Sequence, residues 1–329
     1  MRLLILGGTV FLGRHVATAA LSAGHDVTVF TRGLHGAPVD GVAHVRGDRT
    51  GDLSALRAGR WDAVIDTSGY DPAVVASSTH ALAGRVEHLV FVSSGSAYRD
   101  WPASAVDEDS PVWDEGAGGE YGPDKAACER VVAAAMPGRA TIVRAGLLCG
   151  PHDNVFRLPW WLERIARGGD VPAPGHPAQP LQLIDARDLA GWMVVACEQR
   201  IAGTFNGTAP PGSTTMGRVL EAAVVATGSG ARLRWVPDEA LLEAGVQPWT
   251  DLPLWAPPTP EFAGTWQMAT DRIQAAGLRC RPVEEILGDT WAWLRAGGAG
   301  ELDDWRAEHR PQGLTPGRER ALLALAAAS

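Results

Sequence analysis

Short runs rich in leucine and β-branched residues alternate with longer helix-like stretches through the first half of the chain. The runs are Leu3–Leu6, Val27–Phe30, Val42–Val45, Ala63–Asp66, His88–Val92 and Thr141–Arg144. Each reads as apolar on both faces, the pattern of strands buried within a parallel sheet. Between them the spacing predicts helices near Leu12–Ala23, Pro72–Ala83 and Gly122–Ala135, the first closed by Gly24 as a C-terminal cap. Such alternation predicts right-handed βαβ crossovers and an α/β fold built on a doubly wound parallel sheet.

Beyond Gly150 the texture changes. Pro151, Pro159, Pro172, Pro174, Pro177 and Pro180 cut the chain into loops and short helices. Leu181–Ile184 and Thr204–Asn206 are expected to return to the first domain as late strands. The sheet domain is therefore read as residues 1–152 with 181–210 returning to it. A smaller, discontinuous domain takes 153–180 and 211–298. The segment Pro248–Pro260, carrying Trp249 and Trp255, is expected to be an ordered loop, because disordered linkers rarely hold so much aromatic surface. Residues 299–329 form a C-terminal helical tail, with Thr315 as N-cap and Pro316 at the first helical position.

At 329 residues the chain is long enough for about two domains with a substantial core. Its net charge of −9 has the wrong sign for a protein that grips phosphate backbones, so nucleic acid is not the expected partner. The four cysteines, Cys128, Cys149, Cys197 and Cys280, form no CxxC pair, which suggests neither a metal site nor a disulfide framework. The apolar run at the N-terminus is too short for a signal peptide, and no stretch approaches the roughly 18 apolar residues of a bilayer span. A soluble, cytoplasmic protein without membrane contact is expected. One feature of the charge is specific to a position: of the 29 basic residues, every one except Lys125 is arginine.

Gly7-Gly8-Thr9-Val10-Phe11-Leu12-Gly13 follows the first predicted strand and opens the first helix. That is the context a dinucleotide fingerprint requires: glycine permits close approach of a pyrophosphate, and the helix N-terminus supplies N–H groups and a favourable dipole. The middle glycine of a GxxGxxG pattern would fall at Val10, whose side chain narrows that approach. After the second strand, Thr31-Arg32-Gly33 carries no carboxylate for a ribose 2′-hydroxyl, and Arg32 suits a 2′-phosphate. The expected cofactor is therefore NADP(H), with NAD(H) as the alternative. Asp48, after the third strand, is a candidate for the adenine amino group.

Tyr121 stands four residues before Lys125, which puts both side chains on one face of a helix. An ammonium beside a phenol favours its ionised form and reaches ribose hydroxyls, so this tyrosine would serve as proton donor or acceptor near neutrality. The strand at His88–Val92 ends in Ser93-Ser94-Gly95-Ser96, at the sheet edge where open α/β folds bind ligands. A hydroxyl there would bond the reacting oxygen.

These residues resemble the extended short-chain dehydrogenases/reductases, the NAD-dependent epimerase/dehydratase family, in a reductase-like bacterial branch. The resemblance runs over residues 1–295 through LILGGTVFLGRH, DAVIDTSG, VFVSSGSAY, YGPDKAACE, IVRAGLLCGPHD, LIDARDLA and GTFNGTAP. It implies a Rossmann domain with a smaller substrate domain, Ser94, Tyr121 and Lys125 as the catalytic set, and a homodimer formed through the helix of Lys125. It also implies cofactor contacts from Gly7, Thr9, Val10, Phe11, Leu12, Gly13, Arg32, Asp48, Thr67 and Lys125. Gly95-Ser96 stand where the family's dehydratases carry an acidic pair, and Thr31 where its epimerases carry Asp. Carbonyl reduction or the reverse alcohol oxidation of a small molecule is the expected reaction. A sugar or sugar-nucleotide epimerase and a non-catalytic NADP(H)-binding sensor are the alternatives. Ser96, His152 and Arg187 are candidate substrate contacts, and Arg187 is equally placed to pair with Asp185 or Asp188. The region beyond Gly150 also holds Trp160, Trp161, Trp249, Trp255 and Trp266, whose faces suit sugars, bases or aromatic compounds.

Overall fold

The computed structural model describes residues 1–301 and 313–328; part of the predicted tail, residues 302–312, lies outside them. The first six strands are β1 (Arg2–Leu6), β2 (Asp26–Thr31), β3 (Ala43–Arg46), β4 (Ala63–Asp66), β5 (His88–Ser94) and β6 (Ala140–Ala145). Shorter strands follow: β7 (Leu147–Cys149), β8 (Asp170–Pro174), β9 (Pro180–Leu181), β10 (Leu183–Asp185), β11 (Gly203–Gly207), β12 (Thr214–Thr215) and β13 (Arg232–Val236). Seven of them form one sheet in the order β11-β6-β5-β4-β1-β2-β3, and every pairing in it is parallel. This is a Rossmann-like α/β fold. Strand order reverses between β1 and β4, the kind of switch point at which such sheets bind ligands beyond their carboxyl ends.

The helices are α1 (Phe11–Ser22), α2 (Ser54–Ala58), α3 (Pro72–Ala83), α4 (Tyr121–Ala135), α5 (Arg157–Ala166), α6 (Ala186–Gln199), α7 (Met216–Thr227), α8 (Asp238–Glu243), α9 (Asp271–Ala275), α10 (Val283–Arg295) and α11 (Pro316–Ala328). Successive residues of β1 point to opposite faces. Leu3 and Ile5 enter a core with Val16 of α1 and Leu189 of α6, while Leu4 and Leu6 enter another with Val75 of α3 and Val132 of α4. Local chemistry sets several boundaries. Asp71 caps α3 by accepting from the N–H groups of Ala73 and Val74, with Pro72 at the first helical position. Gly24, at φ +80°, ends α1.

A separate core, with Trp161, Val219, Ile286 and Leu322, joins α5, α7, α10 and α11. The parallel pair β8 and β13 flanks it. Ile273 and Leu278 pack instead with the core of β1 and α1. The loop at 248–260 is ordered, and Leu252, Leu254 and Trp255 within it are almost wholly buried.

Leu181–Ile184 forms two short strands outside the central sheet: β9 pairs with β12 and β10 with β7, while Ile184 packs in the core with β1 and α1. Gln182 separates them by spending its side chain on the main chain of Ala209 and Met268. One expectation is corrected: β3 is not apolar on both faces. It is the sheet's edge, its residues are exposed or half-buried, and His44 bonds the Thr31 hydroxyl at 2.9 Å.

Candidate functional site

A cleft of about 1060 Å³ runs along the carboxyl edge of the sheet. Its lining includes Gly7 to Gly13, Arg32, Asp48 and Thr67 at one end, and Ser94, Ser96, Tyr121 and Lys125 further along. The fold thus gathers residues that are far apart in the chain into one surface.

At the first end the main chain forms the wall. Gly7 and Gly8 both adopt φ +101°, a conformation open to glycine and rarely to other residues. A Cβ on Gly13 would lie 2.6 Å from the Gly8 nitrogen and 2.9 Å from the Thr67 hydroxyl, so glycine lets α1 press onto the turn and onto the end of β4. Val10 takes φ −127° and ψ 139°, ordinary for an L-residue, so the positive-φ demand falls on the two leading glycines and on Phe11, at φ +35°, and not on Val10. Val10 nonetheless lines the cleft. No side chain caps α1, and its first turn carries no acidic residue. Its N-terminal N–H groups and positive dipole end therefore suit an anion.

Arg32 is exposed at the cleft wall after β2. Asp48 accepts from the N–H and hydroxyl of Thr50, which hold its carboxyl below the usual range. The next residue, Arg49, makes a two-pronged ion pair with buried Asp66 at 2.9 and 2.6 Å. That pair ties the loop after β3 to β4 and fixes where Asp48 stands. The spacing signal alone did not disclose Arg49.

At the reacting end, Ser94 accepts a hydrogen bond from the Ser96 N–H at 3.1 Å. A hydroxyl has one proton and two lone pairs, so this bond leaves the Ser94 proton to donate. Gly122 brings α4 against this turn: a Cβ there would lie 2.3 Å from the Ser96 carbonyl oxygen. Tyr121, the first residue of α4, is consequently beside the serines and about half exposed to the cleft. Lys125 is only 3% exposed and donates to the carbonyls of Gly69 and Val92 at 2.7 and 2.8 Å. Its ammonium lies 6.0 Å from the centre of the Tyr121 ring and 4.8 Å from that of Tyr70.

Tyr70 escaped sequence reading, although it follows Gly69 in the loop after β4. So did Glu129, which stands one turn beyond Lys125 on the same face of α4. Glu129 pairs with Arg144 at 2.7 Å and accepts from Ser93 at 2.5 Å, all three being buried. This network anchors α4 to the ends of β5 and β6. The four-residue spacing that links Tyr121 to Lys125 extends to Glu129 and was the available signal.

Two candidate substrate residues lie elsewhere. His152 is outside the cleft lining and packs between His15 and Trp293, with ring centres 5.7 and 5.3 Å away. Burial lowers its pKa to about 4. Arg187 is also outside the lining and bonds Asp185 at 2.7 Å and Asp289 at 2.6 Å, a tie between α6 and α10. The tryptophans divide similarly. Trp161 and Trp255 are core residues that donate to the Pro253 carbonyl and to Asp238, and Trp160 packs edge-on against Trp161. Trp249 and Trp266 line the cleft, together with Trp101.

The sequence profile of the NAD dependent epimerase/dehydratase family matches residues 73–206. Epimerase family protein SDR39U1 of Bos taurus is 28% identical over 254 residues, which cover 70% of this chain and 82% of that protein. The 2'-dehydrokanamycin reductase of Streptomyces kanamyceticus is 37% identical over 202 residues, 57% of this chain and 55% of the relative. In fold, the Bordetella bronchiseptica enzyme WbmH, solved in complex with NAD+, matches with a TM-score of 0.68 at 18% identity, covering 90% of this chain and 99% of that one. Over residues 73–206 the chain is thus similar to the NAD dependent epimerase/dehydratase family, and the solved structures share its fold.

Proposed function

We propose that this protein is a nicotinamide-dinucleotide-dependent oxidoreductase that interconverts a carbonyl and an alcohol on a small molecule, with NADP(H) as its preferred cofactor. The observation that carries this reading is the single cleft holding the glycine turn at one end and Ser94, Tyr121 and Lys125 further along. The residues fit the dinucleotide: Gly7, Gly8 and Gly13 have no room for a Cβ against Thr67, Val29 and the Gly8 nitrogen, so the turn packs tightly on strand and helix, and the uncapped N-terminus of α1 that lines the cleft suits a pyrophosphate. Gly7 to Gly13 with Thr67 would hold the pyrophosphate side, Asp48 the adenine and Arg32 a 2′-phosphate. Bound there, the nicotinamide supplies a hydride donor or acceptor.

In reduction, the Ser94 hydroxyl donates to the substrate oxygen, oriented by the Ser96 N–H behind it. The Tyr121 phenol delivers its proton to that oxygen. Lys125, held on two main-chain carbonyls, keeps positive charge beside the phenol and presents its ammonium to the ribose hydroxyls. Alcohol oxidation runs the same transfers backwards. Epimerisation is the second reading, favoured by the family profile and by the epimerases among the structural neighbours. A homodimer formed through α4 belongs to the same proposal and is read by light scattering.

The test is a fluorescence titration with NADPH and NADH, followed by carbonyl-dependent NADPH oxidation. Tight NADPH binding is expected. Tyr121→Phe should keep that binding and lower turnover by about 10²- to 10⁴-fold. Binding without turnover of any carbonyl would instead support a sensor, and absence of both would overturn the reading.

A further inference from the structure

Aromatic rings surround the Lys125 ammonium. It lies 4.8 Å from the centre of the Tyr70 ring, 5.2 Å from that of Phe91 and 6.0 Å from that of Tyr121, the range over which a π face attracts a cation. Phe91 is wholly buried in the core beneath α3 and α4. Tyr70 is 41% exposed and lines the cleft. The loop that carries it is fixed on both sides. The Ser68 N–H donates to Asp66 at 3.0 Å, a Cβ on Gly69 would lie 2.5 Å from the Phe91 ring, and Asp71 caps α3. The Gly69 carbonyl, one residue before the ring, is also one of the two that accept from Lys125. The Tyr70 and Tyr121 ring centres are 6.4 Å apart.

From this arrangement we infer that Tyr70 is a positioning residue for the catalytic pair, its ring covering the Lys125 ammonium on the cleft side and holding it beside Tyr121. A lysine stem is flexible and its ammonium strongly hydrated. Two carbonyls orient the charge, and the Tyr70 ring keeps water from competing for it, so its field reaches the phenol less screened. The ring does this, not its hydroxyl. Other charged groups act on the same stretch of α4: Asp66 is paired with Arg49, Glu129 with Arg144, and Asp124 accepts from the Gly119 N–H. The inference rests on the oxidoreductase reading for the work of the pair, while the arrangement of rings stands apart from it.

The chain has three tyrosines, and burial pushes Tyr98 up to about 12. Once Tyr70 is replaced, the two phenols left, Tyr98 and Tyr121, are followed by ultraviolet difference titration of the full chain, with Tyr121→Phe assigning its own signal. Tyr70→Phe keeps the ring, and Tyr70→Leu keeps only an apolar cover. The Tyr121 midpoint should lie about half a pH unit or more higher in Tyr70→Leu than in Tyr70→Phe, because a less firmly held cation favours phenolate less. Adding Lys125→Met to both should make the two midpoints coincide. NADPH affinity, read by fluorescence titration, should be about 3- to 30-fold weaker in Tyr70→Leu than in Tyr70→Phe. Folding is followed by circular dichroism, and Tyr70→Met takes the place of Tyr70→Leu if the latter unfolds. Coincident midpoints in the two single variants overturn the inference, as does a difference that survives Lys125→Met. If NADPH does not bind even the unaltered chain, the oxidoreductase reading fails, and the midpoints, which need no ligand, still decide the place of Tyr70.

Discussion

The two ends of the cleft are walled by different materials. At the glycine turn the wall is main chain: Gly7, Gly8 and Gly13 strip away side chains so that strand, turn and helix N-terminus present bare N–H groups. Past Ser94 the wall is side chain, three tryptophans and a methionine brought in by loops that share no strand of the central sheet. A main-chain wall recognises what every dinucleotide shares, its pyrophosphate. A side-chain wall can be altered residue by residue without disturbing the sheet, which suits it to recognise what differs between substrates.

The first way to break this comparison is at the turn. Gly13→Ala places a Cβ 2.6 Å from the Gly8 nitrogen, and neither the turn nor α1 has room to yield. Dinucleotide affinity should fall at least about 100-fold by fluorescence titration, with a stability loss of about 1–3 kcal/mol from overpacking. Unchanged affinity would mean that the cradle lies elsewhere. A smaller effect should follow at Arg32, exposed at the same wall. Arg32→Ala removes a charge-assisted contact worth about 1.5–3 kcal/mol, so NADPH binding should weaken at least about tenfold while NADH binding barely moves. Equal losses for both would remove the 2′-phosphate assignment.

At the other end the predicted effects are milder. Trp249 stands at φ +65° and Leu254 at φ +67°, so the loop between them is held in a conformation that L-residues disfavour. Its holder is the C-terminal helix: Arg318 bonds buried Asp251 at 2.8 Å, and the Gly313 N–H reaches the Thr250 carbonyl at 3.1 Å. Arg318→Ala should cost about 1 kcal/mol by chemical denaturation, given the partial exposure of the pair. It should also raise hydrogen exchange across residues 247–256 and leave dinucleotide affinity intact. An equal loss of dinucleotide affinity would show the two ends to be coupled.

Outside the cleft, His152 sits with His15 of α1 and Trp293 of α10, and burial lowers its pKa to about 4. A histidine with a lowered folded pKa binds fewer protons folded than unfolded, so its contribution is present above about 6.5 and is lost as the pH falls toward 4. His88, buried in β5 with its pKa also lowered to about 4, adds to the same trend. Melting temperature should decline over that window, and His152→Gln should flatten part of the decline. An unaltered pH profile in the variant would remove His152 from the account.

The nucleotide end was legible from the chain because its determinants are local. A strand of Leu and Ile, a glycine turn and a helix opening fall within the first dozen residues or so. Tyr121 and Lys125 were legible because helical periodicity puts residues four apart on one face. The solitary lysine marked a place where arginine had not been used, and there the structure buries an ammonium that donates to two main-chain carbonyls. Of the late strands, Thr204–Asn206 joins the central sheet in β11, whereas the partner of Leu181–Ile184 was not legible, because apolar character marks a segment as buried without naming its partner. Leu183–Asp185 is buried, but against β7. His152 looked like a substrate residue because a polar side chain near a motif looks the same in sequence whether it faces a cleft or a neighbouring helix, whereas the pairing of Arg187 with Asp185 was legible as one of its two readings.

The sequence by itself thus determined the parallel α/β sheet, the dinucleotide turn and the pairing of Tyr121 with Lys125, since each depends on periods of two or four residues or on the conformational freedom of glycine. Only the tertiary structure decided which tryptophans face the cleft and that the C-terminal helix holds the Trp249 loop. Those contacts join residues distant in sequence, and packing complementarity between distant segments leaves no periodic trace along the chain.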